Sequence, residues 1–66
     1  SAYLPAFRIA ETYARLQDKD KAFEYLNKAY DQREPQIAEL KIRLPFVFLR
    51  DDQRFKELVK RVGFPE

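Results

Sequence analysis

Ile9-Ala10-Glu11-Thr12-Tyr13-Ala14-Arg15-Leu16-Gln17-Asp18-Lys19-Asp20-Lys21-Ala22-Phe23-Glu24-Tyr25-Leu26-Asn27-Lys28-Ala29 holds two helical patterns separated by a polar break. Before the break, Ile9, Ala10, Tyr13 and Leu16 recur at the spacing of one helix face, and Ala6 extends the stripe. After it, Ala22, Phe23, Leu26, Ala29 and Tyr30 do the same, with Tyr25 on the margin. Gln17-Asp18-Lys19-Asp20 supplies the break, and Asp18 or Asp20 can accept a hydrogen bond from the free N–H groups that open the next helix. Two helices joined this closely are expected to fold back as an antiparallel hairpin.

Working outward, the first helix is expected to begin near Pro5, whose missing N–H costs nothing in a first turn, and to end near Leu16. Tyr3, Phe7 and Ala14 widen its apolar stripe to about half the circumference at ~100° per residue, an arc that calls for more than one neighbour. The second helix is expected over about Lys21 to Arg33, with Glu24 and Lys28 four apart in the favourable order. Pro35 restarts the chain into a third helix reaching about Arg43. There Pro45 disfavours helical geometry at Leu44 and stops it. Leu44-Pro45-Phe46-Val47-Phe48-Leu49 reads as an irregular apolar segment, because Pro45 and the want of a partner strand argue against a strand. Asp51 or Asp52 is expected to cap a fourth helix, Gln53 to Val62, on which Phe55, Leu58, Val59 and Val62 form a narrow stripe. Gly63 suits the left-handed position after its last turn. With one glycine, no alternating strand pattern and a preponderance of Ala, Leu, Glu, Lys, Arg and Gln, the chain reads as all-α.

Composition narrows the function. Sixty-six residues make one small domain or part of one. A hydrophobic content of 45% is rich enough for a folded core. Cys and His are both absent, which removes disulfides, the usual zinc ligands and any Ser/His or Cys/His nucleophile. Lack of Cys fits the cytoplasm slightly better than an oxidising compartment. Thirteen cations against eleven carboxylates leave +2, with no basic block to mark nucleic acid. No apolar run approaches the ~18 residues of a membrane span. The chain opens on Ser1 without Met, as expected of an excised fragment.

Ile9-Ala10, Tyr13, Ala22, Leu26 and Ala29 also follow the order of small and large residues in the tetratricopeptide repeat, so residues 3–36 resemble one such repeat. On that resemblance Ala10 and Ala22 lie where the paired helices approach, Tyr13 and Leu26 fill the gaps beside them, and Ala29 admits a following helix. Ala6 replaces the usual large residue near the start, with Phe7 as compensation, and Pro35 closes the repeat one position late. Residues 37–66 do not continue the pattern. They resemble the tail that ends tetratricopeptide arrays in bacterial multidomain regulators, adenylate cyclases and kinases. The residues that carry this are Leu49-Arg50-Asp51-Asp52-Gln53-Arg54-Phe55 and Gly63-Phe64-Pro65, with Gln53 where Pro is common. The resemblance implies a single small domain: a repeat-like hairpin (3–36) followed by two capping helices (37–66).

For chemistry, Asp18/Asp20 and Asp51/Asp52 read as caps and turns rather than acid/base pairs. Asp18-Lys19-Asp20 lacks the later Gly and Glu of a calcium loop. No metal, cofactor or enzymatic activity is expected. Arg50, Arg54, Lys56, Lys60 and Arg61 make the tail basic, but Asp51, Asp52 and Glu57 interrupt the row, so nucleic acid is a minor alternative. The expected function is a non-catalytic protein-interaction or scaffold module that binds a protein or peptide. The resemblance places Leu4, Phe7, Arg8, Glu11, Ala14 and Arg15 at or beside the binding groove, with Tyr3 and Phe7 as anchors and Arg8 and Arg15 as polar selectors. Phe7 and Glu11 stand where the family's carboxylate-clamp members carry Lys and Asn, which argues against capture of acidic chain ends at that place. The alternatives are an array cap that contacts no ligand, packing of Tyr3 and Phe7 on a preceding repeat, and a homodimer through Tyr3, Phe7, Ala10 and Ala14.

Overall fold

The computed structural model describes residues 4–63, and all the regular structure among them is helical. Helix α1 spans Ala6–Arg15, α2 Lys19–Asp31 and α3 Gln53–Val62. Two 3-10 helices, Pro35–Glu39 and Leu44–Leu49, separate α2 from α3. Tyr3 lies outside the described residues.

The α1–α2 turn closes without glycine. Gln17 takes a left-handed φ of 61°. Its N–H donates to the Ala14 carbonyl at 3.0 Å and the Asp18 N–H to that of Tyr13 at 2.9 Å, the paired bonds of a Schellman turn. Asp18 then caps α2 by accepting from the Lys21 N–H at 3.1 Å. Of the two carboxylates expected to serve, Asp18 does, and α2 begins two residues before the expected Lys21. The two helices run antiparallel, with Ala10, Ala22, Leu26 and Ala29 sealed from solvent.

At the far end Arg33 repeats the left-handed turn with φ 55°, its N–H reaching the Tyr30 carbonyl and the Glu34 N–H that of Ala29, each at 3.0 Å. The turn brings Glu34 back toward the start of α1. Glu34 Oε2 accepts from the Ala6 N–H at 2.8 Å and Oε1 from the Phe7 N–H at 3.0 Å. Helix α1 has no side-chain cap of its own, because its N-cap residue is Pro5. A carboxylate 28 positions away fills that role.

The expected third helix forms only in part, and as a 3-10 helix. Pro35–Glu39 is a 3-10 helix and turns carry the chain on to Arg43, while the segment expected to be irregular is the 3-10 helix Leu44–Leu49. Prolines 35 and 45 leave too short a run for an amphipathic α-helix. Winding at three residues per turn aligns side chains three apart instead. Leu40, Phe46 and Leu49 are thereby buried and Ile37 packs at their edge, while the outward row of the second 3-10 helix leaves Leu44 82% exposed. Phe46 meets Phe7 edge to face, centroids 5.3 Å apart at 71°. Of the wide apolar arc of α1, one part packs on α2 and another on residues 44–49 of the same chain, while Ile9, Tyr13 and Leu16 stay at least partly exposed.

Helix α3 has the expected ends. Asp52 accepts from the Arg54 N–H at 2.8 Å, and Gly63, at φ 79°, donates its N–H to the Val59 carbonyl at 3.1 Å. It docks on α2 through two arginines. Arg54 lies 4.4 Å over the Phe23 ring, and Arg61 lies 5.1 Å over the Tyr30 ring while donating to Asn27 Oδ1.

Two stability measurements follow. Phe46→Ala is expected to cost about 3–5 kcal/mol, enough to unfold so small a domain, whereas Leu44→Ser is expected to leave the melting temperature within error. Equal effects in thermal circular dichroism would contradict the orientation of the second 3-10 helix. Glu34→Gln is expected to cost about 1–3 kcal/mol, since an amide has one acceptor oxygen and sets an N–H₂ donor against the second backbone N–H. A full-stability Glu34→Gln variant would contradict the capping role.

Candidate functional site

The residues placed at the binding groove by sequence resemblance do not form one surface. Leu4 is 61% exposed, and Arg8 and Arg15 also face solvent. Phe7 and Ala14 lie in the core against α2 and residues 44–49, with Phe7 wholly removed from solvent. A replacement Phe7→Ala would therefore open a core cavity, not trim an exposed anchor. The same burial covers Ala10, so Phe7, Ala10 and Ala14 present no free face to a second copy while residues 44–49 stay in place. Glu11 is a buried carboxylate, 3.6 Å from Arg8 Nε and 3.5 Å from Arg43 Nε, and Arg43 Nε also lies 3.1 Å from Glu39. Glu11 thus fastens the turn after Glu39 to α1.

Two other surfaces stand out. The first is a partly exposed apolar strip along the hairpin. Ile9, Tyr13 and Leu16 follow one edge of α1, and Tyr25 joins them from α2. Tyr13 and Tyr25 stack with centroids 5.7 Å apart at 14°, and Lys28 lies 5.1 Å over Tyr25. Ile9, Tyr13 and Tyr25 are half-buried and Leu16 is 69% exposed.

The second is an open groove of about 600 Å³ between residues 41–50 and α3. Phe55 and Val59 form its floor, and Lys41, Arg50, Lys56 and Lys60 its rim. Arg50 Nη2 donates to the Lys41 carbonyl at 2.9 Å and ties the two ends of the rim segment together. A smaller hollow of about 380 Å³ lies between Tyr30, Pro35, Ile37 and Val62.

The groove reorganises the basic tail. Arg54 and Arg61, one margin of α3, are engaged with α2, whereas Lys56 and Lys60, the other margin, line the groove. Lys56 and Lys60 at i, i+4 were legible as neighbours on a helix face. Lys41 enters from a separate segment, and no sequence pattern pairs it with them.

The carboxylate pairs have structural roles. Asp18 caps α2, Asp20 accepts from Arg54 Nη1 at 2.9 Å, and Asp52 both caps α3 and pairs with Arg54 Nη2 at 3.0 Å. Among the described residues no group of three or more acidic side chains converges on a point. No helix among them is long and apolar enough to cross a membrane.

Hydrogen bonds from the Arg54 side chain and backbone hold the Asp52 carboxyl below its ordinary 3.8, and Asp52 and Asp20 in turn raise the Arg54 guanidinium. Because the folded value for Asp52 is depressed, its stabilisation is present above pH 3.8 and lost as pH falls through the folded value. Asp52→Asn, which can still cap, is expected to melt below the wild type at neutral pH and to converge with it in acid. A gap between the two melting curves that persists unchanged into acid would show that the pairing with Arg54 is not its source.

Compared with protein-family models, curated proteins and solved structures, the chain gives no significant match.

Proposed function

We propose that the chain is a non-catalytic protein-interaction and scaffold module that ends a helical array of the tetratricopeptide kind. The observation that carries this reading is the unequal treatment of the two sides of the α1–α2 hairpin. Residues 35–63 close one side with Leu40, Phe46, Leu49, Phe55 and Leu58, all buried. The other margin keeps Ile9, Tyr13, Leu16 and Tyr25 at least partly exposed. An end unit of a solenoid needs this asymmetry, with one face sealed and one able to stack on a neighbouring repeat. The order of small and large residues at Ala10, Tyr13, Ala22, Leu26 and Ala29 supports the choice of repeat type.

Fusion behind a consensus tetratricopeptide array that lacks its own terminal helix tests the proposal. The chain is expected to raise the melting temperature of the array by several degrees through the shared interface. Ile9→Glu is expected to cancel that gain and leave the circular dichroism of the separate chain unchanged. An array that melts independently of the fused chain would remove the reading.

A further inference from the structure

We propose that the groove between residues 41–50 and α3 binds a short acidic peptide segment carrying one large apolar side chain. The inference rests on the interaction-module reading and names the chemistry of the partner. It concerns the α3 side of the molecule, away from the first-helix positions that the repeat resemblance singles out.

Charge is the first argument. The chain carries thirteen cations and eleven carboxylates. Four of the cations, Lys41, Arg50, Lys56 and Lys60, border one concavity whose lining among the described residues contains no carboxylate. Among the described residues the other nine cations stand with ten carboxylates, so the described remainder sums to −1 beside four cations at the groove. Helix α3 sorts its basic residues accordingly. Arg54 has Asp20 and Asp52, and Arg61 has Asn27. Lys56 and Lys60 make no ion pair among the described residues. A rim of one sign raises the local concentration of an oppositely charged partner and speeds its encounter.

The floor is the second argument, and it selects among anions. Phe55 and Val59 give the groove an apolar base that a phosphate chain would leave unfilled. Phe55 is 6% exposed, which leaves too little ring surface for a nucleobase to stack on. The concavity is open, which suits a peptide laid across it more than an acyl chain that needs enclosure. At about 600 Å³ it takes one large side chain with flanking backbone and leaves carboxylates of the same segment beside the lysines.

The test selects short random peptides displayed on phage against the immobilised full chain. Enriched peptides are then measured by fluorescence anisotropy on the wild type and on K56E/K60E, whose changes lie at exposed positions and whose fold is checked by circular dichroism. The expected peptides carry several Asp or Glu around one Phe, Leu or Tyr. They should bind the double variant roughly tenfold more weakly and lose a similar factor when Ser replaces the apolar residue. Enriched peptides without acidic bias, or bound equally by K56E/K60E, overturn the groove and leave the interaction-module reading standing. Undiminished binding of the Ser-substituted peptide, together with equal competition by an oligothymidylate of the same charge, overturns it in favour of unselective polyanion attraction. Absence of any enrichment overturns the groove as well, and the array reading is then decided by its own melting test.

Discussion

The carboxylate of Glu34, held across the first two N–H groups of α1, is the contact on which the arrangement of this chain depends. A helix opens with N–H groups that have no partner inside it, and Pro5 offers no side-chain acceptor. Burying a carboxylate costs several kcal/mol, and two charge-assisted hydrogen bonds at the positive end of the helix dipole offset that cost. The geometry leaves little slack. Glu34 sits one residue past the left-handed Arg33, so the turn that ends α2 also aims the group that starts α1. One short segment thereby sets the hairpin's antiparallel register and the direction in which the chain leaves for residues 35–49.

That exit direction decides what becomes of the apolar face of α1. Residues 44–49 return over it, Phe46 packs edge to face on Phe7, and Phe7, Ala10 and Ala14 share one buried core with Phe46 and Leu49. A face that reads as a docking surface in isolation is the interior of the molecule. What stays exposed is the Ile9–Tyr13–Leu16 margin and the groove on α3. On α3 the arginines and lysines divide between the two sides of the helix. The flat guanidinium groups of Arg54 and Arg61 lie over Phe23 and Tyr30 and join α3 to α2. Lys56 and Lys60 line the groove with their ammonium groups at its rim.

Much of the fold was legible in particular residues. The pairs Asp18/Asp20 and Asp51/Asp52 marked helix starts, with Asp18 and Asp52 the ones that cap, Gly63 marked an end, and the spacing of Ala22, Leu26 and Ala29 marked a buried stripe. The stretch from Pro35 to Leu49 was less legible. Ile37 and Leu40, or Phe46 and Leu49, share a face at three residues per turn as well as at 3.6, so short runs between prolines do not distinguish the two windings. The candidate site was the least legible part. Glu11 and Glu34 carry nothing in their local pattern to mark them as buried, and Lys41 comes to lie near Lys56 and Lys60 only through the path of the turns between them.

By itself the sequence determined that this chain is helical and, to within two residues, where α1, α2 and α3 begin and end, because caps, prolines and apolar spacing act over a few residues. Only the tertiary structure decided which flank of α1 is covered, which carboxylate caps it and where four cations meet. Those outcomes depend on contacts such as Glu34 with Ala6 and Phe46 with Phe7, made between residues remote in the chain once the core has closed.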